Sequence, residues 1–273
     1  MKIRLLGTGA ADGIPGFFIN NEVSTYAKKH GGKDLRTRSA ALIDGCVKID
    51  LPPDTICQLH RDRLDASDWS ALVFTHSHED HLAVSEIQYA LYPFTELEQL
   101  PFTIYGNSKI KQLVRQRYPY WPIEFVEMTS FGEYTHADYK ITALPANHEI
   151  EEECLNLLFE RDGVSLLYAT DTGIWKEPTF EFLAGRRLNG LVIECTEGFH
   201  NASYEGHLNI ERLSFVLNRL RADFAIDENT TVVTTHHAHS GMATHAQLEA
   251  ALAPIGAEPG YDGCVVEVRS KGG

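Results

Sequence analysis

Basic residues are scarce in this chain: 24 lysines and arginines stand against 38 aspartates and glutamates, a formal net charge of −14. That deficit argues against a duplex or tRNA backbone as the main partner, because phosphate polymers are held chiefly by Lys and Arg. It leaves a small phosphorylated substrate open, since bound metal ions neutralise such charge locally. Paired cysteines are also missing. Cys46, Cys57, Cys154, Cys195 and Cys264 contain no C-x-x-C pair and are odd in number. Neither a disulfide framework nor a cysteine zinc site is implied, and a reducing, cytoplasmic setting is the expectation. Cys195 ends the run Leu191-Val192-Ile193-Glu194-Cys195 and reads as a buried, inert thiol. No apolar stretch approaches membrane-spanning length, and the first, Ile3 to Leu6, is too short for a signal peptide. With no linker, repeat or low-complexity segment, residues 1–273 read as a single domain with a sizeable core.

Histidine is what the chain does have, and in one place above all. Thr75-His76-Ser77-His78-Glu79-Asp80-His81 follows the apolar run Ala71-Leu72-Val73-Phe74. The run reads as a buried strand and the cluster as the loop leaving its end. A merely solvated polar loop is the plainer reading. Three imidazoles and a carboxylate within six residues fit a metal loop better, and suit zinc, manganese or iron. Four further positions lie in or just after strand-like runs: Asp50 in Val47 to Leu51, His148 after Ile141 to Leu144, Asp171 after Leu166 to Ala169, and His236 after Val232 and Val233. Alone, each would read as an ordinary hydrogen-bonded residue. Together with the cluster they are expected to converge on one centre. Imidazoles and a carboxylate can hold each ion with a position left for water, and a carboxylate can bridge two ions where imidazole cannot. Such a pair lowers the pKa of a shared water and clamps a reacting oxygen, which serves hydrolysis of phosphate esters or acyl groups.

The remaining pattern mixes strands and helices. Strands are expected at Ile3 to Leu6, Ser39 to Asp44, Val47 to Leu51, Phe102 to Tyr105, Ile123 to Val126, Tyr139 to Leu144, Leu155 to Phe159, Val164 to Ala169, Leu191 to Cys195, Thr231 to Thr234 and Cys264 to Val268. Helices are expected at Asp54 to Arg63, Leu82 to Leu91, Lys109 to Arg117, Thr179 to Arg187, Ile210 to Leu220, and Thr244 to Leu252 with Thr244 as N-cap. Residues 14–38 lack periodicity and read as a long surface loop, a kind that is often functional. The whole suggests two mixed sheets packed together and flanked by helices.

These residues resemble the metallo-β-lactamase fold superfamily. The match runs through Gly7-Thr8-Gly9, Asp50, His76-x-His78-x-Asp80-His81, His148, Thr170-Asp171-Thr172 and Thr235-His236. The resemblance implies a mixed α/β (α+β) fold, a four-layer αββα sandwich. It implies one ion on His76, His78, His148 and Asp171, and a second on Asp80, His81, Asp171 and His236. It gives Asp50 the task of orienting the ligand loop. Gly7 to Pro15, Asn147-His148 and Gly206-His207-Leu208-Asn209 are similar to the phosphodiesterase branch, which includes tRNase Z and the phosphoribosyl cyclic phosphodiesterase of phosphonate metabolism. In that likeness His207 is a general acid and Asp80 belongs to the catalytic centre. The plainer reading of His207 is a cap on the helix near Asn209. Two features of the branch are missing: residues 17–30 carry no cysteine for a structural zinc site, and no long basic arm is evident. His237 and His239 read as outer or surface histidines.

The expectation is therefore a hydrolase using two divalent ions, zinc or manganese before iron. It would cleave a small or cyclic phosphodiester through a metal-bridging hydroxide. A lactonase or thioesterase on the same fold, or a metal-binding accessory protein of a cofactor pathway, are the alternatives. An oxygen-reducing diiron relative is disfavoured because His78 is retained. A homodimer is left open.

Overall fold

Residues 1–270 are described by the computed structural model; residues 271–273, the end of the expected single unit, lie outside the described residues. The first sheet is built from β1 (Lys2–Gly7), β2 (Ala40–Ile43), β3 (Val47–Ile49), β4 (Ala71–Val73), β5 (Thr103–Gly106) and β6 (Phe125–Glu127). The second takes β7 (Glu133–His136), β8 (Tyr139–Pro145), β9 (Leu155–Arg161), β10 (Val164–Ala169), β11 (Gly190–Glu194), β12 (Thr231–Thr235) and β13 (Glu258–Pro259). A last strand, β14 (Val265–Glu267), returns to the first sheet beside β1. The strand orders are β14-β1-β2-β3-β4-β5-β6 and β13-β12-β11-β10-β9-β8-β7.

Alternation within the strands sets the layers. In β10, Leu166 and Tyr168 face an inner core shared with Ile3, Leu5, Ile43 and Val73 of the first sheet. Leu167 and Ala169 face the other way, into a layer with Phe180, Leu213, Leu217 and Leu248. Those belong to α4 (Glu177–Leu183), α5 (Ile210–Ala222) and α6 (His245–Leu252). The outer face of the first sheet, with Leu42, Leu72 and Ile104, packs on Leu59, Ile110 and Val114 of α2 (Thr55–Asp62) and α3 (Ser108–Arg117). The result is the four-layer sandwich of two mixed sheets with helices outside. Among the described residues, no helix is long and apolar enough to cross a membrane.

Local chemistry places the helix ends. Asn209 accepts from Arg212 N and starts α5. Thr244 and Gln247 form a reciprocal capping box at α6, as expected of Thr244. Three expectations need correction. The 14–38 segment is not one loop: it contains α1 (Glu22–His30), capped by Asn21, and a 3₁₀ turn at Gly32–Asp34. Its buried apolar stripe is only Val23 and Ala27, too narrow to give visible periodicity. The 82–91 stretch winds as a 3₁₀ helix over Val84–Ala90. Strand β7 has no strand signal in the sequence, because Glu133–His136 is polar and carries no apolar alternation; it forms an edge of the second sheet.

Strand direction then positions the site. β3 and β4 are parallel, as are β10, β11 and β12. β8 is antiparallel to β9, which is antiparallel to β10, so β8 runs with β10. The C-terminal ends of β3 and β4 thus share one edge of the first sheet and those of β8, β10, β11 and β12 one edge of the second. Contact between His81 and Asp171 brings the two edges together, and every candidate ligand follows one of these strands.

Candidate metal centre

Asp50 leaves β3 with a left-handed backbone, φ 56°. Fully buried, it accepts from Thr75 N at 2.9 Å and from His81 Nδ1 at 2.7 Å. This carboxylate ties both ends of the histidine loop to the end of the neighbouring strand. The other imidazoles are oriented in the same manner. His76 Nδ1 meets Thr75 Oγ1 at 3.0 Å, His236 Nδ1 meets Thr196 Oγ1 at 2.9 Å, and His148 Nδ1 lies 3.2 Å from Gly206 O. With Nδ1 engaged at the periphery, each ring offers Nε2 inward, the arrangement that metal-binding histidines use. His78 presents Nδ1 instead, 2.9 Å from His76 Nε2 and 3.3 Å from His148 Nε2.

The two groups meet at Asp171. Its Oδ2 lies 3.0 Å from His81 Nε2 and 3.2 Å from His236 Nε2, while its Oδ1 is 3.7 Å from His148 Nε2. Asp80 Oδ2 is 3.2 Å from His81 Nε2 and 3.6 Å from His236 Nε2. Candidate ligand atoms of His76, His78 and His148 lie within 4.8 Å of one another, as do those of Asp80, His81 and His236. Despite those short separations, His81 Nε2, His236 Nε2 and Asp171 Oδ2 are buried and not aligned for a hydrogen bond with one another or with any other group. Buried polar atoms are rarely left so, because each unpaired one costs about 1–3 kcal/mol. Three that converge are explained by a shared cation, so the residues fit a metal.

Electrostatics agree with that fit. Burial lowers the His76 imidazole well below its ordinary range and lowers His148 too, leaving both neutral. Burial alone would raise Asp80 and Asp171. The surrounding histidines, His81 above all for Asp80 and His236 for Asp171, hold both carboxyls well below the usual carboxylate range. Burial opposes a charge on His81, but Asp171, Asp80 and Asp50 together raise it well above normal. Three carboxylates around one imidazole call for positive charge, which a proton or a metal ion supplies.

Beside the cluster stands a pair that the sequence reading half missed. His207 Nδ1 contacts Glu194 Oε1 at 2.8 Å. Glu194 is fully buried at the end of β11 and also accepts from Thr172 N at 2.7 Å and Leu208 N at 2.9 Å. Burial would lower His207, yet Glu194 outweighs it and raises the imidazole to about 9. His207 is thus an imidazolium near neutrality. It groups with His148 and Asp171 within 4.8 Å, and its ring stacks on His236 at 5.6 Å. The helix-cap reading of His207 does not hold, since Asn209 caps α5. In the sequence Glu194 stands inside the apolar run Leu191 to Cys195; a lone carboxylate inside such a run is itself a signal, because buried charges are paired.

The structure brings together His76, His78, Asp80, His81, His148, Asp171, His236 and His207, with Asp50 behind them. His237 is outside the cluster, but it is buried and not at the surface: its ring meets Thr234 and its backbone N–H donates to Thr8 O at 2.8 Å. His239 bridges to the first loop, Nε2 to Asp12 at 2.7 Å and Nδ1 to Asn21 at 2.8 Å. Cys195 is buried, and burial pushes its thiol up to about 12. Gly7-Thr8-Gly9 passes close to residues 36–38, and a Cβ on Gly7 would fall 1.9 Å from Arg38 O.

Solved structures share this architecture. The chain is similar to a diphosphatase from the PhnP family (21% identity, 98% of each chain covered, TM-score 0.77). It is also similar to zinc-bound PqqB from Methylobacterium extorquens (15% identity, 98% of this chain and 100% of that one, TM-score 0.76). A third is the short form of human tRNase Z (14% identity, 99% and 100% covered, TM-score 0.67). No curated protein matches the sequence. The beta-lactamase superfamily domain matches residues 42–251, from β2 through α6, and the chain belongs to that superfamily of metal-dependent hydrolases.

Proposed function

We propose that the chain is a hydrolase that uses two divalent metal ions, zinc or manganese in preference to iron, to cleave small or cyclic phosphodiesters. The observation that carries the reading is Asp171. Its two oxygens face different histidine groups, Oδ1 toward His148 and Oδ2 toward His81 and His236, so one carboxylate can serve both ions. His76, His78 and His148 would hold one ion with Asp171; Asp80, His81 and His236 would hold the other. Bound there, the ions supply Lewis acidity toward a phosphoryl oxygen and lower the pKa of water.

The chain's own groups do the rest. Asp80, kept ionised, would hold an ion together with His81 and His236 and accept a hydrogen bond from the attacking water. Asp50 holds His81 in register through Nδ1. His207, with Nδ1 committed to Glu194, has Nε2 free to donate a proton to the departing oxygen. A protonated imidazole suits a phosphodiester, which carries a negative charge beside the acid and expels a basic alkoxide; a neutral lactone lacks that charge, and a thioester's thiolate departs with little help from an acid. A small-molecule diester, with no polyanionic partner, fits the acidic composition.

The experiment is metal analysis coupled to a substrate panel. Purified protein reloaded with zinc or manganese should hold close to two ions per chain and cleave phosphodiesters in preference to lactones and thioesters. One ion or fewer after reloading sinks the two-ion assignment. Turnover of lactones or thioesters alone sinks the phosphodiester assignment.

A further inference from the structure

Among the described residues, Tyr204 is the exposed aromatic residue that touches the histidines of the centre. It lies in the 199–206 loop between β11 and α5. Its ring centroid is 5.5 Å from that of His207 and 6.1 Å from that of His148, edge-to-face to both. Its hydroxyl donates to His148 O at 2.9 Å. Nevertheless the residue is 44% exposed.

The loop is built to hold this ring in place. Arg212, on α5, donates to Tyr204 O at 2.8 Å, His207 O at 3.0 Å and Ala202 O at 3.0 Å. Residue 206 is glycine where a Cβ would fall 2.3 Å from the Tyr204 hydroxyl oxygen and 2.4 Å from Cζ. The backbone next door is thus cleared for the ring. Fixing a half-exposed aromatic side chain costs conformational entropy and buries little, so folding alone gives small return for it. A rigid aromatic face beside a reaction centre reduces the ordering cost of binding a planar ligand.

We propose that Tyr204 is a specificity-determining residue, whose ring stacks on a planar group carried by the leaving alcohol of the phosphodiester. This rests on the phosphodiesterase reading above. The leaving side follows from the neighbour: Tyr204 packs against His207, the group assigned to protonate the leaving oxygen. The substrate class is therefore a diester whose departing oxygen belongs to an alcohol that bears a nucleobase or another aromatic ring close to the scissile bond, whether that alcohol is released or, in a cyclic ester, stays attached to the product.

The test compares two cyclic diesters with the same leaving oxygens: adenosine 2′,3′-cyclic phosphate and methyl riboside 2,3-cyclic phosphate, which lacks the base. Metal-loaded wild type should favour the adenosine ester in kcat/KM by roughly tenfold or more, the scale of one base stacked on an aromatic ring. Tyr204→Ala should bring that ratio close to one, chiefly through KM for the adenosine ester. Tyr204→Phe, which keeps the ring and loses the bond to His148 O, should retain it. Metal content is measured on all three proteins and should be equal. A wild type that does not distinguish the esters overturns the assignment. So does a Tyr204→Ala variant whose ratio is unchanged while both rates fall or metal is lost, because Tyr204 would then only position His148. If the loaded wild type cleaves neither ester nor any other phosphodiester, the function itself is wrong and the assignment falls with it.

Discussion

Ser77, the residue between His76 and His78, donates a 2.5 Å hydrogen bond to Glu152, four residues beyond His148. The Glu152 side chain is fully buried, accepts from Asn107 Nδ2 at 2.7 Å and lies 3.3 Å from Lys109 Nζ. One carboxylate thus fastens the loop bearing His148 to the loop bearing the first two histidines. Glu152→Ala should weaken metal binding by about 10–100-fold, as loss of an outer-layer partner typically does. Chelator competition measures this. Affinity equal to wild type for both ions would show that the two loops keep their spacing without the clamp.

Asp171→Ala should disturb both ions at once, because its two oxygens face both histidine groups. His236→Ala should loosen only the ion shared with Asp80 and His81. Elemental analysis of the two variants discriminates: equal losses would mean that the ligands are allocated wrongly.

His207→Ala should keep the fold and the metals and slow cleavage by ~10²–10⁴-fold for diesters with poor leaving groups, the usual worth of a general acid. Nitrophenyl esters, which depart unaided, should suffer little. Glu194→Gln removes the charge that raises His207 and should give the same leaving-group pattern, more weakly. Uniform losses across leaving groups with a lowered melting temperature would remove His207 from the reaction.

Lys48 supplies a pH test of stability. It is fully buried, near the Trp69 ring, and burial lowers its ammonium to about 7. Unfolded, a lysine titrates near ~10.4. Below pH 7 both states are charged, and the folded state bears the whole cost of burying the cation. Between those two values the unfolded chain binds more protons, so stability rises with pH, by up to roughly 1.4 kcal/mol per pH unit. Relative to Lys48→Met, wild type should gain melting temperature from pH 7 to 10. Parallel melting curves for the two proteins over that window would contradict the buried, neutral amine.

Much of the centre is legible in the chain because metal ligands at strand ends carry two signals at once, residue type and an apolar run before them. His76 to His81, Asp171 and His236 all have both. Glu152 has no apolar run before it, and Glu194 is masked because the run Leu191 to Cys195 continues through it. Glu152 sits among exposed acidic neighbours, Glu149, Glu151 and Glu153, and Glu194 hides within a strand. Their roles depend on partners 13 to 75 residues away, which no local pattern encodes. In the same way Val84–Ala90 looks helical but tightens to 3₁₀, and α1 is stabilised by the Asn21 cap and two small contacts more than by an apolar face.

Asp50, Asp171 and His236 all hold left-handed backbone angles, φ 56°, 48° and 56°, each just past a strand. A residue with a Cβ pays roughly 1–2 kcal/mol there that glycine does not. The consequence reaches laboratory evolution. At Asp50 that gain is outweighed, because glycine would strand Thr75 N and His81 Nδ1. At Asp171 and His236, a library selected for heat resistance in metal-free conditions should drift toward glycine, each step erasing part of the centre. A thermostable descendant of this protein would have to be selected for metal retention at the same time, or its gains would come from the residues that make it useful.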